Sequence, residues 1–136
     1  VNNIIFEYRN NDLSGDLIFL SASFKGEKNN KNKIEEEMKE LKNIKEKAQP
    51  TKIKTSGSTF KNPINQTEKK VWELIRESVP INASFGDAHI SEKHSNFFVN
   101  KNNASFNDMK KLIEFVTKSV EEKTGIKLEK EIKILE

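Results

Sequence analysis

The sequence has 136 residues, 34% hydrophobic and 33% charged, which fits one domain of ordinary size and is too rich in apolar residues for a disordered chain. It holds no cysteine, which excludes disulfide and thiolate chemistry and points to a reducing, cytoplasmic setting. The net charge of +3 comes almost wholly from Lys, with only Arg9 and Arg76 as Arg and with Asp and Glu interspersed, so the surface reads as solvated rather than as a nucleic-acid footprint.

The chain opens on "VNNIIFEYR", with no initiator Met and already in a strand-like run, so it reads as a fragment of something longer. No apolar run approaches the roughly 18–20 residues that span a bilayer, and no signal peptide is visible, so no membrane partner is expected. "VNNIIFEYRN" and "GDLIFLSASFKG" predict two strands joined by the turn chemistry of "NNDLSG". In the second, Leu17 and Phe19 alternate with Ile18 and Leu20, so both faces read as buried. "GEKNNKN" is a polar linker and the expected boundary within the chain.

"KIEEEMKELKNIKEKAQP" predicts a helix with Ile34, Met38, Leu41 and Ile44 on one face and Pro50 as its stop. "KTSGSTFKNP" reads as a loop. "NQTEKKVWELIRESVP" reads as a helix that starts at Asn65 or Thr67 and carries Val71, Leu74, Ile75 and Ser78 on one face. "DAHISEKHSNFFVN" holds a strand over Phe97–Val99. "NNASFNDMKKLIEFVTKSVEEKTG" is a helix with Ser105 and Asp108 as a capping-box start and Gly125 as its end. Phe106, Met109, Leu112, Ile113, Val116 and Val120 line its apolar face. "IKLEKEIKILE" closes the chain as an alternating strand that slips a step near Lys130. The expected fold class is α+β: a small sheet with helices packed on it, preceded by two strands that belong to a preceding domain.

Little in this pattern carries chemistry by spacing alone. His89 and His94 stand five apart in a non-helical stretch, which does not make a metal site, and no metal is expected. "GSTFK" lacks the spacing of a phosphate-binding P-loop. What remains is the loop hydroxyl of Ser58, the ammonium of Lys61, the amide of Asn62 and the carboxylate of Glu131. On first principles Ser58 serves equally well as a turn residue, and Glu131 as an exposed strand carboxylate.

Taken together, "FEYRNNDL", "SGSTFKNP", "SEKHSNFFVN" with "NNAS", and "GIKLEKEIKI" resemble, in order and spacing, the C-terminal part of the MurB family. These are UDP-N-acetylenolpyruvoylglucosamine reductases of bacterial cell-wall synthesis. The resemblance runs from about Phe6 to the end, and "GSTFKNP" is its most specific motif. It implies a flavoprotein of three domains, in which residues 1–27 are the end of the FAD-binding second domain and residues 28–136 the C-terminal substrate-binding domain. No tyrosine-bearing insertion follows "KNP", which resembles the family's shorter type.

The reaction implied has two halves. NADPH reduces FAD; the enolpyruvyl ether of UDP-N-acetylglucosamine then takes a hydride at its β-carbon and a proton at its α-carbon. Ser58 matches the family's proton donor, and Glu131 its glutamate that handles charge on the substrate carboxyl. Tyr8, Lys61, Asn62 and His94 fall at or beside the family's substrate-binding positions. The cofactors implied are FAD and NADPH. The partners implied are UDP-N-acetylglucosamine enolpyruvate and the N-terminal FAD-binding domains. Three places depart from the family pattern: Asn11 stands for a Ser, Gly86-Asp87-Ala88 for Gly-Gly-Ala, and the segment "VWELIRESVPINASF" differs from the usual run between the motifs. The alternative reading is a small basic binding module for RNA or an acidic partner, which Lys clustering on one face would favour.

Overall fold

The computed structural model describes residues 4–13 and 15–135, so Val1 to Asn3 of the predicted first strand, Ser14 of the predicted turn and Glu136 of the predicted last strand lie outside the described residues. The chain forms two compact units, Val1–Met38 and Lys39–Glu136.

The first unit holds a tight antiparallel hairpin of β1 (Phe6–Glu7) and β2 (Asn10–Asn11), with Tyr8 and Arg9 in its turn. β1 therefore lies inside the first predicted segment, and β2 runs from its last residue into the predicted turn. The second, "GDLIFLSASFKG", contains no strand, and Ile18, Leu20 and Phe24 are more than four-fifths exposed. Apolar alternation made it read as a doubly buried strand, but a strand also needs a neighbour for its backbone groups. The two-residue hairpin does not extend far enough to be one.

The first helix, α1 (Lys31–Ala48), starts two residues before its predicted start and buries no residue. Its apolar stripe is where periodicity put it, yet Met38, Leu41 and Ile44 are all more than half exposed.

The second unit is built on a four-stranded antiparallel sheet in the order β3 (Lys54–Ser58), β6 (Phe97–Asn100), β5 (Ala88–Ile90), β4 (Ser84–Phe85). Ile90 faces Phe98 and Ala88 faces Asn100 across the central pair, so Ala88, Ile90 and Phe98 share the face that meets the helices. The second helix, α2 (Val71–Ser78), and the third, α3 (Phe106–Thr124), pack against each other, and α3 also packs on β4 and β5. Leu74 and Ile75 of α2, Leu112, Ile113, Val116 and Val120 of α3, and Phe60 complete the core. The α+β expectation holds: a small antiparallel sheet with helices on it and two N-terminal strands in a separate sheet.

α3 follows the sequence closely. The Ser105 hydroxyl accepts from Asp108 N–H, and the Asp108 carboxylate accepts from Ser105 N–H. Gly125 ends the helix at φ 72°, the left-handed conformation that glycine adopts without strain. Phe106, expected on the apolar face, is more than half exposed. α2 is shorter than predicted: residues 64–66 form a turn and 68–69 a bend, and the helix starts after Lys70, whose N–H donates to the Glu73 carboxylate. The terminal segment is not a strand. It makes one isolated β-bridge, Phe60 to Lys130, and is held also by bonds between Gln66 and the Lys127 backbone, while Ile126, Leu128, Ile132 and Ile134 pack half-buried against the core.

Candidate active site

The stretch "KTSGSTFKNP", predicted as a loop, begins as strand β3 and is then threaded between two other segments. Thr55 faces Val99 and Ser58 faces Phe97, so β3 spends three steps where β6 spends two. That is a β-bulge, with Gly57 at φ 87°. Bulges bend a strand and re-aim the side chains around them, and the residue leaving this one is Ser58, half-buried.

Beyond Ser58 the backbone is fixed on both sides. Thr59 N–H donates to the Asn96 carbonyl at 2.8 Å, and the Thr59 carbonyl accepts from Glu131 N–H at 2.8 Å. Phe60 N–H donates to Asn96 Oδ1 at 3.0 Å, and Asn96 Nδ2 donates to the Phe60 carbonyl at 2.9 Å. Lys61 N–H donates to the Glu129 carbonyl at 2.9 Å. The amides of Thr59, Phe60 and Lys61 are thus all consumed internally, and the loop does not offer them as a cradle for a phosphate.

This threading joins residues that are far apart in sequence. Glu131 is bonded through its backbone to Thr59, one residue from Ser58. Lys61 forms an ion pair with Glu129. Asn62 Oδ1 accepts from Val71 N–H at 3.0 Å, capping α2 from outside the helix. His94 stands two residues before the Asn96 clamp, half-buried, its ring edge-on to Phe97 at 4.8 Å and to Trp72 at 6.4 Å. Its Nδ1 accepts from Asn96 N–H at 3.3 Å, which leaves the proton of the neutral ring on Nε2. Burial lowers the His94 pKa below its ordinary 6.5, and a backbone hydrogen bond opposes this more weakly. Ser58, Lys61, Asn62, His94 and Glu131 therefore all belong to one unit and one threaded region. Tyr8 lies in the other unit, at the turn of the β1–β2 hairpin, with the Arg9 guanidinium 5.8 Å from its ring centre.

Asp87, where the resemblance leads one to expect a glycine, has a local role. Its carboxylate accepts from Asn103 N–H at 2.9 Å and its carbonyl from Lys101 N–H at 3.0 Å. Thr55 and Asn96 hold this region and were not singled out by the sequence; the only local sign was Gly57 between two serines. Among the described residues no group of His, Cys, Asp and Glu could hold a metal ion, and no helix is long and apolar enough to cross a membrane.

Comparison with known proteins identifies the architecture. The family described as UDP-N-acetylenolpyruvoylglucosamine reductase, C-terminal domain, matches residues 49–135. The UDP-N-acetylenolpyruvoylglucosamine reductase of Pelagibacter ubique is 76% identical over 132 residues, covering 97% of this chain and 44% of that protein. The enzyme of the same name from Rickettsia conorii is 42% identical over 128 residues, covering 94% of this chain and 42% of its own length. The crystal structure of UDP-N-acetylenolpyruvylglucosamine reductase (MurB) from Thermus caldophilus superposes with a TM-score of 0.61 at 32% identity, covering 79% of this chain and 36% of that one. The chain thus spans less than half the length of the relatives it matches, and the part it spans is the one that carries the clamped Ser58 loop. It belongs to the MurB family, with residues 49–135 matching that family's C-terminal domain.

Proposed function

We propose that this chain is the substrate-side part of an FAD- and NADPH-dependent oxidoreductase that converts UDP-N-acetylglucosamine enolpyruvate to UDP-N-acetylmuramate for peptidoglycan synthesis. The observation that carries the reading is the Thr59–Glu131 backbone bond, which brings the chain at Glu131 to within one residue of Ser58. The relatives' names support the reductase over the binding-module alternative. On this reading residues 28–136 act as the substrate-binding domain, and residues 1–27 close the domain before it.

The consumed amides of Thr59, Phe60 and Lys61 do not fit a flavin pyrophosphate, so FAD is assigned to the length of the relatives that this chain does not span. Reduction at the β-carbon drives an electron pair toward the α-carbon and its carboxylate, as an enolate. Charge forming in a closed site needs groups already in place to meet it. The Ser58 hydroxyl supplies the proton to the α-carbon, and Glu131 faces the charge that forms on the carboxyl. Lys61, Asn62, His94 and Tyr8 are proposed to hold the substrate, with Lys61 and Asn62 suited by charge and hydrogen bonding to its diphosphate.

The test uses the full-length reductase that contains this sequence, with its two half-reactions followed separately by flavin absorbance. Ser58→Ala leaves reduction by NADPH at the wild-type rate and slows reoxidation by the enolpyruvyl substrate about 10²–10⁴-fold, the usual worth of a positioned proton donor. Glu131→Gln slows the same half-reaction. Equal slowing of both half-reactions by Ser58→Ala, or of neither, would show Ser58 to be a turn residue.

A further inference from the structure

The bulge in β3 poses a problem of register. One residue more stands on β3 than on β6 between Thr55 and Ser58, and nothing in a bare ladder dictates which residue is the extra one. A shift of one position turns each following side chain to the opposite face of the sheet. Ser58 would then leave the position from which it acts. Gly57 narrows the choice, because its φ of 87° is strained for other residues, but conformational freedom alone does not hold a backbone in place.

The side chain of Thr55 supplies the hold. Its Oγ1–H donates to the Phe98 carbonyl on the facing strand at 2.8 Å. The same oxygen accepts from Gly57 N–H at 3.2 Å. One hydroxyl therefore ties together the residue before the bulge, the glycine within it and the opposite strand. On the other side of Ser58, the backbone of Thr59 and Phe60 is held by Asn96. Ser58 is the one residue between these two anchors.

We infer that Thr55 is a positioning residue for the reaction, its hydroxyl fixing the register of the bulge and through it the place of the Ser58 proton donor. The inference rests on the role proposed for Ser58. Thr55 needs no contact with the substrate, since its effect passes through the backbone of Gly57. Misplacing a reacting group by about 1 Å costs on the order of 10²-fold in rate. The loss therefore falls on the step that uses Ser58, while substrate binding and the NADPH half-reaction are spared.

Val keeps the branched shape of Thr at this exposed strand position and removes only the hydroxyl; Ser keeps the hydroxyl and removes the methyl. In the full-length reductase, Thr55→Val is expected to slow substrate-driven flavin reoxidation roughly 10–100-fold, with KM for the substrate and flavin reduction by NADPH unchanged. Thr55→Ser restores the rate to near wild type. Hydrogen exchange at the Gly57 amide gives a second readout without turnover: faster in Thr55→Val, protected in Thr55→Ser. Equal slowing by both variants would overturn the inference, because the methyl group would then matter and not the hydroxyl. A wild-type rate in Thr55→Val beside a slow Ser58→Ala would overturn it alone and leave the role of Ser58 standing. A wild-type rate in Ser58→Ala would bring down both.

Discussion

Asn96 does for Phe60 what a neighbouring strand would do, offering one acceptor and one donor to the two backbone groups of a single residue. With the side chain only 3% exposed, these bonds form away from water, where an unmade partner costs about 1–3 kcal/mol. Read locally, "KHSNFF" offers Asn96 as a turn residue, because its partner lies 36 positions upstream and no spacing rule reaches that far. Ser58 and Glu131 were legible only through the family motifs they sit in; the bond that links their neighbourhoods depends on a tail that forms no regular strand. His94 carries a pH dependence whose sign is fixed by its surroundings. Burial holds its folded pKa below 6.5, so the unfolded chain takes up a proton that the folded chain resists, and stability is lost as pH falls through 6.5 toward the folded value. Protonation at Nδ1 would also end its acceptance from Asn96 N–H. The expected result is that the melting temperature of the wild type drops on acidification from about pH 7 to 5, and that His94→Gln flattens this slope. An unchanged slope in the variant would place the dependence elsewhere.

At the scale of elements, legibility followed the range of the forces involved. α3 could be read because its start, its stop and its apolar stripe are all local: a Ser–Asp capping pair, a glycine and a 3.6-residue period. β3 could not, because a Ser-Gly-Ser run pairs as a strand only when a facing strand and a bulge accommodate it. The N-terminal end of α2 was misplaced for a related reason. Asn65 and Thr67 look like caps, but the helix takes its cap from Asn62 across an intervening turn. Periodicity also overstated the buried face of α3, where Leu112 is fully buried but Met109 only half so. Leu112→Asp is therefore expected to abolish folding, since burying a large apolar side chain contributes about 1.5–3 kcal/mol and an unpaired buried charge costs several more. Met109→Asp, able to turn its carboxylate to water, is expected to fold with a lowered denaturation midpoint. Urea unfolding of the two variants side by side separates these outcomes, and equal loss would show the whole stripe to be one sealed face.

For the whole molecule, order is unevenly distributed. In the second unit, strands, helices and the pinned tail close over one core. In the first, residues 17–30 form neither strand nor helix, and Lys25 and Lys28 stand exposed among them. Segments with few backbone hydrogen bonds and little buried surface open at little cost. Trypsin is expected to cut this chain first between residues 25 and 33 and to leave a resistant fragment containing residues 49–135, as mass spectrometry of a short digest would show. Early cleavage at Lys61 or Lys127 instead would mean that the threaded loop and tail are the weaker part.

The bulge that leads into Ser58 also bears on how this protein behaves in a crowded solution. The sheet ends on one side at β3, kinked at Gly57, and on the other at β4, only two residues long. A second copy seeking to add a strand needs a straight, uninterrupted row of free N–H and C=O groups, and neither margin offers one. The bulge beside Ser58 thus also denies a second copy a straight margin of this sheet to extend.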